Sequence, residues 1–584
     1  MTLMKKLLLF ALPFTLFYCN SPSEKNGNSE LNTGFESFRD AFVEKLWVVY
    51  PGWATEAGYH KYDSLFPAPT EANRNMELAF ASSCLDSLKN FPTADLNDLN
   101  RMDYSLMENF LNKISWGINK WKGWRWDPSS YNACGSFSYL LGEPFAPLDA
   151  RLKILAVKLK NVPAYYEAAI QNISTPTAEH TQLAMDQNLG GMGVFDSDIP
   201  DSVKVSGLDN TTKSNILSLC KAASAAVHRY VDFLKTTGKG KHRSFRAGEE
   251  LYREKFAFDI QSRYSPDEIF NAAMERKKEL HSKMSKLAIE LWPKYFGTVK
   301  MPHDSLTLIR KMIDTLSVKH VKPEDFQSSI EKQIPELVKF ISDKNLIYLD
   351  PSKPLKVRKE PAYMAGVAGA SISAPGPYDK SGNTYYNVGS LSGWDKARAE
   401  SYLREYNYYI LQILNIHEAI PGHYTQLVYS NQSPSLVKSI LGNGAMVEGW
   451  AVYGERMMLE NGYGNNEPEM WLMYYKWNLR STCNTILDIS VHTKNMTHDE
   501  ALDLLTRQAF QQQAEAEGKW RRVNVTSVQL CSYFDGFKEI SDLRDEYMKK
   551  RGDTFNLKSF HEKFLSYGSA PVKEIRERMM AEEN

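Results

Sequence analysis

The sequence has no surplus of either charge. Its 70 basic and 70 acidic side chains cancel, which removes the electrostatic reason to expect nucleic acid as a partner. Cysteine is scarce, six in 584 residues. The six are spread too widely for a disulfide scaffold, and none forms a CxxC metal pair. No internal repeat of fixed period is present. Gly190-Gly191-Met192-Gly193 lacks both the Lys-Ser/Thr of a phosphate loop and a Rossmann spacing, so it reads as an ordinary loop. Beyond the N-terminus no apolar run is long enough to cross a membrane. What remains is 43% hydrophobic and 24% charged, a globular composition with ample length for a buried core. Aromatic residues make up 12%, which suits a deep aromatic-lined cleft and a large core equally well.

The N-terminus reads as a targeting segment. Lys5 and Lys6 precede an apolar run from Leu7 to Tyr18, and Cys19 follows. A basic start and a short apolar core make a secretory signal. A cysteine at the end of that core resembles a bacterial lipoprotein signal, in which the Cys is lipidated after cleavage. Leu16 fits that pattern and Tyr18, where a small residue is usual, does not. The other reading is a plain signal peptide cleaved elsewhere. Residues 1–19 are thus expected to be a lipoprotein signal ending at Cys19, and residues 20–33 a polar, flexible tether. The body, 34–584, is expected to be exported and lipid-anchored to the cell envelope, in the periplasm or on the outer surface, touching membrane through the anchor only. The remaining Cys84, Cys134, Cys220, Cys483 and Cys531 leave room for one or two bridges.

The body reads as mainly α. Apolar residues recur at spacings of three and four over 37–49, 75–90, 99–120, 152–173, 211–236, 266–292, 303–317 and 322–345. Pro266-Asp267-Glu268 and Pro323-Glu324-Asp325 are helix starts, and Thr497-His498-Asp499-Glu500 is a capping box. The helical period fails between 346 and 392. There Ile347-Tyr348-Leu349, Leu355-Lys356-Val357-Arg358 and 384–388 read as short strands between Pro/Gly clusters. The expected architecture is a single large helical domain with a deep cleft and a small sheet beside it.

The chemistry concentrates at His417-Glu418-Ala419-Ile420-Pro421-Gly422-His423. In HExxH, two His four apart share a helical face and bind zinc, and the Glu is the general base. Here the His are six apart, and about 600° of helical turn would point them roughly 120° apart. Pro421 and Gly422 argue against a regular helix. A bulge of two residues there brings His423 back beside His417. The competing reading is a structural His pair. Glu448 begins Glu-Gly-Trp-Ala-Val-Tyr-Gly-Glu, 25 residues after His423, far enough for a second helix to return alongside the first. Glu448 and Glu455, seven apart, share a face. A carboxylate on so apolar a helix needs a partner. A zinc ion held by two His and one Glu supplies it; pairing with a nearby Lys or Arg is the alternative. Glu448 is the candidate ligand and Glu455 the residue that orients a His.

HEAIPGH followed by EGWAVYGE resembles the bacterial domain-of-unknown-function 885 family, whose members resemble zinc peptidases of the His-Glu-x-x-His plus distant Glu kind. Residues 51–63, Gly248 to Arg253, Asp488 with His492, and Phe560-His561-Glu562 with Gly568 and Pro571 carry the likeness across nearly the whole body. The resemblance implies His417, His423 and Glu448 as zinc ligands, Glu418 as general base, and a peptidase activity whose substrate stays open. Zinc acidifies water and polarises a carbonyl; Glu418 takes the water's proton and hands it to the leaving amine. Tyr533 or His561 is the candidate oxyanion donor, against a packed core role for each. Asp488 and His492, four apart, form either a structural pair or a substrate-side donor. Arg480, Arg521 and Arg522 are candidates to hold a peptide carboxylate, against plain surface arginines. The expected function is zinc-dependent hydrolysis of peptide bonds in short peptides. A zinc amidase on cell-wall or acylated amino-acid substrates, and a non-catalytic peptide-binding lipoprotein, are the competing readings. Intact Glu418 speaks against the last.

Overall fold

Capping side chains start several of the long helices. The computed structural model describes residues 29–238, 240, 242–360, 370–379 and 382–581. The expected signal, Cys19 and most of the tether lie outside them. The principal helices, numbered in chain order, are α1 (Ser29–Val49), α2 (Asp98–Trp116), α3 (Asn210–Thr237), α4 (Glu249–Asp259), α5 (Pro266–Phe296) and α6 (Phe326–Asp343). After a small sheet come α7 (Tyr408–Glu418), α8 (His423–Asn431), α9 (Gly444–Glu460), α10 (Pro468–Thr493), α11 (Gln513–Val525), α12 (Ser532–Arg551) and α13 (Leu557–Ser566). Asn97 caps α2, and Asp209 caps α3. Ser265 and Glu268 form a capping box on α5, with Pro266 at its first position. The Thr497–Glu500 box opens a short helix as expected.

The sheet has three strands in the order β1-β3-β2: β1 (Leu355–Lys359), β2 (Ala370–Ser373) and β3 (Thr384–Val388). β1 runs parallel to β3, and β2 antiparallel. Tyr386 on β3 donates its hydroxyl to Asn415 on α7 at 2.8 Å, which fixes the sheet against the helix that carries the first histidine.

Four local expectations need correction. Ile347-Tyr348-Leu349 is not a strand. Its backbone is engaged by side chains, since Tyr348 N–H donates to Glu562 and the carbonyl of Leu346 meets His561. The third strand is instead Ala370–Ser373, whose Ala-Ser-Ile-Ser sequence carries a weak strand signal. The helix expected over 152–173 is two, Leu148–Leu159 and Val162–Asn172, with Pro163 in the first turn of the second. Gly190 and Gly191 end the helix Ala178–Gly191 rather than forming a loop. A Cβ at Gly191 would stand 2.6 Å from that of Cys134, so the glycine serves helix packing. The tether ends sooner than expected. α1 starts at Ser29, and buried Asn32 accepts from Asn97 N–H and from the Asn100 amide, both at 2.9 Å. All five cysteines from Cys84 to Cys531 are buried and free. Among the described residues no helix is long and apolar enough to cross a membrane.

The core is centred on α10, in which every residue from Ser481 to His492 is buried. A helix buried all round sits at the centre of a large body rather than on its face. Residues 131–234 build a second cluster around Phe137, Leu155, Tyr166 and Tyr230. His180 joins it to α11 through the carbonyl of Val525 at 3.2 Å. Beside α10, α9 and α12 approach backbone to backbone. A Cβ at Gly536 would lie 1.8 Å from the carbonyl oxygen of Ala445, and one at Gly449 2.3 Å from the Gly536 carbonyl carbon. Gly449 follows Glu448 directly, so this contact sets the depth of Glu448. Gly536→Ala must push the helices apart and is expected to cost about 1–3 kcal/mol or more, read as a lower urea midpoint. An unchanged midpoint would refute the close contact.

Candidate functional site

His417 and Glu418 are the last two residues of α7, which Asn407 caps by accepting from the N–H groups of Tyr409 and Ile410. The helix then breaks. Ala419 and Ile420 N–H groups both return to the carbonyl of Asn415, and Gly422 N–H to that of Ile416. The Ile420–Pro421 bond is cis. A Cβ at Gly422 would lie 1.8 Å from the carbonyl oxygen of His417, so the chain can double back here only as glycine. His423 opens α8. The anticipated bulge is therefore a full break and restart, and its effect is the expected one. The two imidazoles stand 4.7 Å apart at 84°. Trp450 on α9 donates to the Pro421 carbonyl at 2.8 Å and holds the break in place.

Glu448 and Glu455 reach this pair from α9. Glu448 Oε2 lies 3.6 Å from His417 Nε2 and 3.4 Å from His423 Nε2. It is buried and has no hydrogen-bond partner. Glu455, wholly buried, faces the other side of the first ring, with Oε1 2.7 Å from His417 Nδ1. A carboxylate only accepts, so Nδ1 carries a hydrogen, and Nε2 is the ring atom left to face Glu448. Trp477 Nε1–H donates to the same Oε1 at 3.0 Å and locks the arrangement.

Three carboxylates thus converge on two imidazoles. Burial pulls His417 down, but Glu448 and Glu455 reverse this and hold it at about 10. Burial raises Glu448, and the two imidazoles outweigh it and leave the carboxyl far below its usual range. Burial lifts Glu418 above the usual range, against the pull of His423 and His417. The excess of negative charge asks for a cation. Two ligand atoms bound to one tetrahedral zinc at ~2.0–2.1 Å stand ~3.3–3.4 Å apart, close to the separations of Glu448 from each ring. Ligand atoms of His417, Glu418 and His423 lie within 4.8 Å of one another. The donor set His417, His423 and Glu448 therefore fits a zinc ion, with Glu418 beside it.

A cavity of about 160 Å³ opens in front of His417 and Glu418. Tyr533, Arg480 and Arg522 line it, as the sequence reading allows. Tyr533 accepts from Arg522 at 3.3 Å, and burial raises its phenol above the usual range. The other candidates fall elsewhere. Arg521 is exposed and outside the lining. His561 is wholly buried, held by the Leu346 carbonyl and the Tyr453 hydroxyl, both at 2.8 Å, and burial lowers it to about 4. It pins the segment before β1 and is not an oxyanion donor. Asp488 and His492 do not hydrogen-bond each other. His492 bonds the carbonyls of Val523 and Thr526, and Asp488 accepts from Tyr252 and from the N–H groups of Val528 and Leu530. Together they fix the loop from α11 into α12. Val528 there has φ of +71°, an uncommon and costly state for a β-branched residue.

The sequence reading missed Lys519, Asn484 and Trp477, which also line the cavity. A signal existed. Glu515, Lys519 and Arg522 recur at spacings of four and three on α11, one face of a helix, and Arg521 falls off that face.

The chain matches, over residues 51–579, the family described as a bacterial protein of unknown function (DUF885). It is similar to a solved structure from Shewanella oneidensis, described as a presumed lipoprotein of unknown function. The identity is 54%, the TM-score 0.86, and the match covers 94% of this chain and 99% of that one. A presumed lipoprotein from Colwellia psychrerythraea is similar in fold, with 17% identity, a TM-score of 0.78 and coverage of 94% and 98%. No curated protein matches the chain.

Asp488→Ala leaves the buried N–H groups of Val528 and Leu530 without an acceptor, removes a partner of the Tyr252 hydroxyl, and releases the Val528 loop. It is expected to cost about 3 kcal/mol or more, measured by chemical denaturation. A loss under 1 kcal/mol would contradict this anchoring role.

Proposed function

The chain belongs to the DUF885 family, whose description assigns no activity, and we propose that it is a zinc-dependent hydrolase of peptide bonds. One observation carries the reading. Buried, unpartnered Glu448 Oε2 sits between two imidazole Nε2 atoms, and Glu418 faces the same cavity. His417, His423 and Glu448 would hold the ion, and Glu455 and Trp477 would orient His417. Such outer partners tune metal sites strongly.

A zinc ion bound there supplies a Lewis acid that polarises the scissile carbonyl and acidifies water. The chain's own groups do the rest. Glu418 accepts the proton of the attacking water as its oxygen bonds to the carbonyl carbon. The raised carboxyl of Glu418 then passes that proton to the leaving nitrogen as the C–N bond breaks. Tyr533 is the phenol placed to donate to the developing oxyanion. Its oxygen accepts from Arg522, which leaves its own O–H to act as the donor. Lipid attachment at Cys19 belongs to the same proposal, supported by the described lipoprotein nature of the Shewanella relative. Mass spectrometry of the mature N-terminus tests it, and a start away from Cys19 refutes it.

Glu418→Gln should lower kcat on a mixed peptide library by about 10²–10⁴ while leaving zinc content and melting temperature unchanged. Tyr533→Phe should lower kcat by about 10²–10³ with KM little affected. Wild-type turnover in the Glu418 variant would remove it as base. Purified protein should carry about one zinc per chain, lose activity to chelator and regain it with zinc. Zinc retained undiminished in a His417→Ala, His423→Ala double variant would sink the ligand set.

A further inference from the structure

The cavity in front of Glu418 has a cationic far wall that peptide hydrolysis as such does not require. α10 contributes Arg480, and α11 contributes Lys519 and Arg522. Two nearby cations are accounted for within the protein. Arg480 forms an ion pair with Glu515, and behind it Lys476 pairs with Glu405 at 2.7 Å. Lys519 and Arg522 have no such partner. Lys519 is 6% exposed, yet no described group hydrogen-bonds or ion-pairs with it. Arg522 donates only to neutral groups, the Gln529 amide at 2.7 Å and the Tyr533 phenol. Beside them the Arg480 Nε and the Asn484 Oδ1 are buried without partners. Burying a lysine without an anion is costly. Burial, reinforced by Arg480 and Arg522 and only partly opposed by Glu515 and Glu405, lowers Lys519 well below the usual lysine value. A carboxylate entering the cavity would pair with the Arg522 guanidinium and draw a proton onto the Lys519 amine.

Size narrows the ligand. About 160 Å³ is well below the ~300–1,000 Å³ of pockets that enclose a whole drug-sized ligand. The space takes the end of a substrate rather than its middle. Tyr533 accepts from Arg522, so the anion wall and the phenol facing the reacting carbonyl are joined by one hydrogen bond. A group held by Lys519 and Arg522 therefore lies next to the scissile bond.

We propose that Lys519 and Arg522 bind the free C-terminal carboxylate of a peptide substrate, so that the enzyme removes residues from the C-terminal end. The inference rests on the hydrolase reading and names its substrate class. Glu515 keeps Arg480 from competing for the carboxylate.

The test uses one set of short N-acylated peptides in three forms: free acid, C-terminal amide, and amide with Glu as the last residue. In the wild type, kcat/KM for the free acids should exceed that for the amides by about 10–100-fold, the weight of charge-assisted bonds to a buried carboxylate. Lys519→Met and Arg522→Met should each raise KM for the free acids and bring the acid-to-amide ratio toward one. Melting curves identify any variant that fails to fold, and Lys519→Arg should then restore part of the preference. Equal hydrolysis of acids and amides by the wild type overturns the inference and leaves the hydrolase reading standing. Amides ending in Glu that are cut as fast as the free acids assign the cations to an acidic side chain and overturn the terminal assignment. If no peptide is cut, the hydrolase reading fails, and calorimetric binding of the same acids and amides to wild-type protein decides the anion site. Tighter acid binding that Lys519→Met abolishes supports it, and equal binding overturns it.

Discussion

Everything in this molecule is arranged around an imbalance of charge. Glu418, Glu448 and Glu455 face two imidazoles with little water between them. Such a cluster is unstable unless its geometry is enforced from outside, because each group alone prefers solvent or a proton. The enforcement comes from backbone. Gly422 lets the chain fold back onto the carbonyl of His417, and Gly449 and Gly536 let α9 and α12 touch without side chains between them. The first contact sets the angle between the rings, and the second sets how far Glu448 reaches.

The legible part of this site in the sequence was the part that depends on composition. Two His, a Glu beside the first and two Glu seven apart stand out from ordinary packing, and the expected second helix does return beside the first as α9, although the bulge expected between the His is a full break. Legibility failed where polar residues serve the backbone. Asp488, His492 and His561 look like catalytic groups because they are buried and polar, but their partners are peptide groups of distant loops. No local pattern encodes that pairing. Lys519 failed in the opposite way. A lysine between Gly518 and Trp520 on a charged helix reads as a solvated face, and only the neighbouring helices show that solvent is absent. The strand expected at Ile347 failed for the reason that Asp488 did: side chains from α13 took the hydrogen bonds that a neighbouring strand would have made.

The two walls of the cavity are opposite in sign. Glu418 supplies the acidic group of one face, and Arg480, Lys519 and Arg522 supply the basic groups of the other. The apolar remainder, Leu414, Tyr406 and Trp477, separates them. In so little water the field between such faces is weakly screened, so an entering molecule is oriented before it makes contact. Salt affects such enclosed charges less than surface pairs.

The positive φ of Val528 has a consequence for timing. The loop that leads into Tyr533 is held in a conformation its own residues disfavour, by acceptors on Asp488 that are available only once α10 is buried. The phenol is therefore set when the chain folds. Loops that swing over an active site are drawn from the least stable segments of a protein; this one is anchored on the most buried helix. A molecule that enters the cavity therefore meets Tyr533 as part of a preset wall.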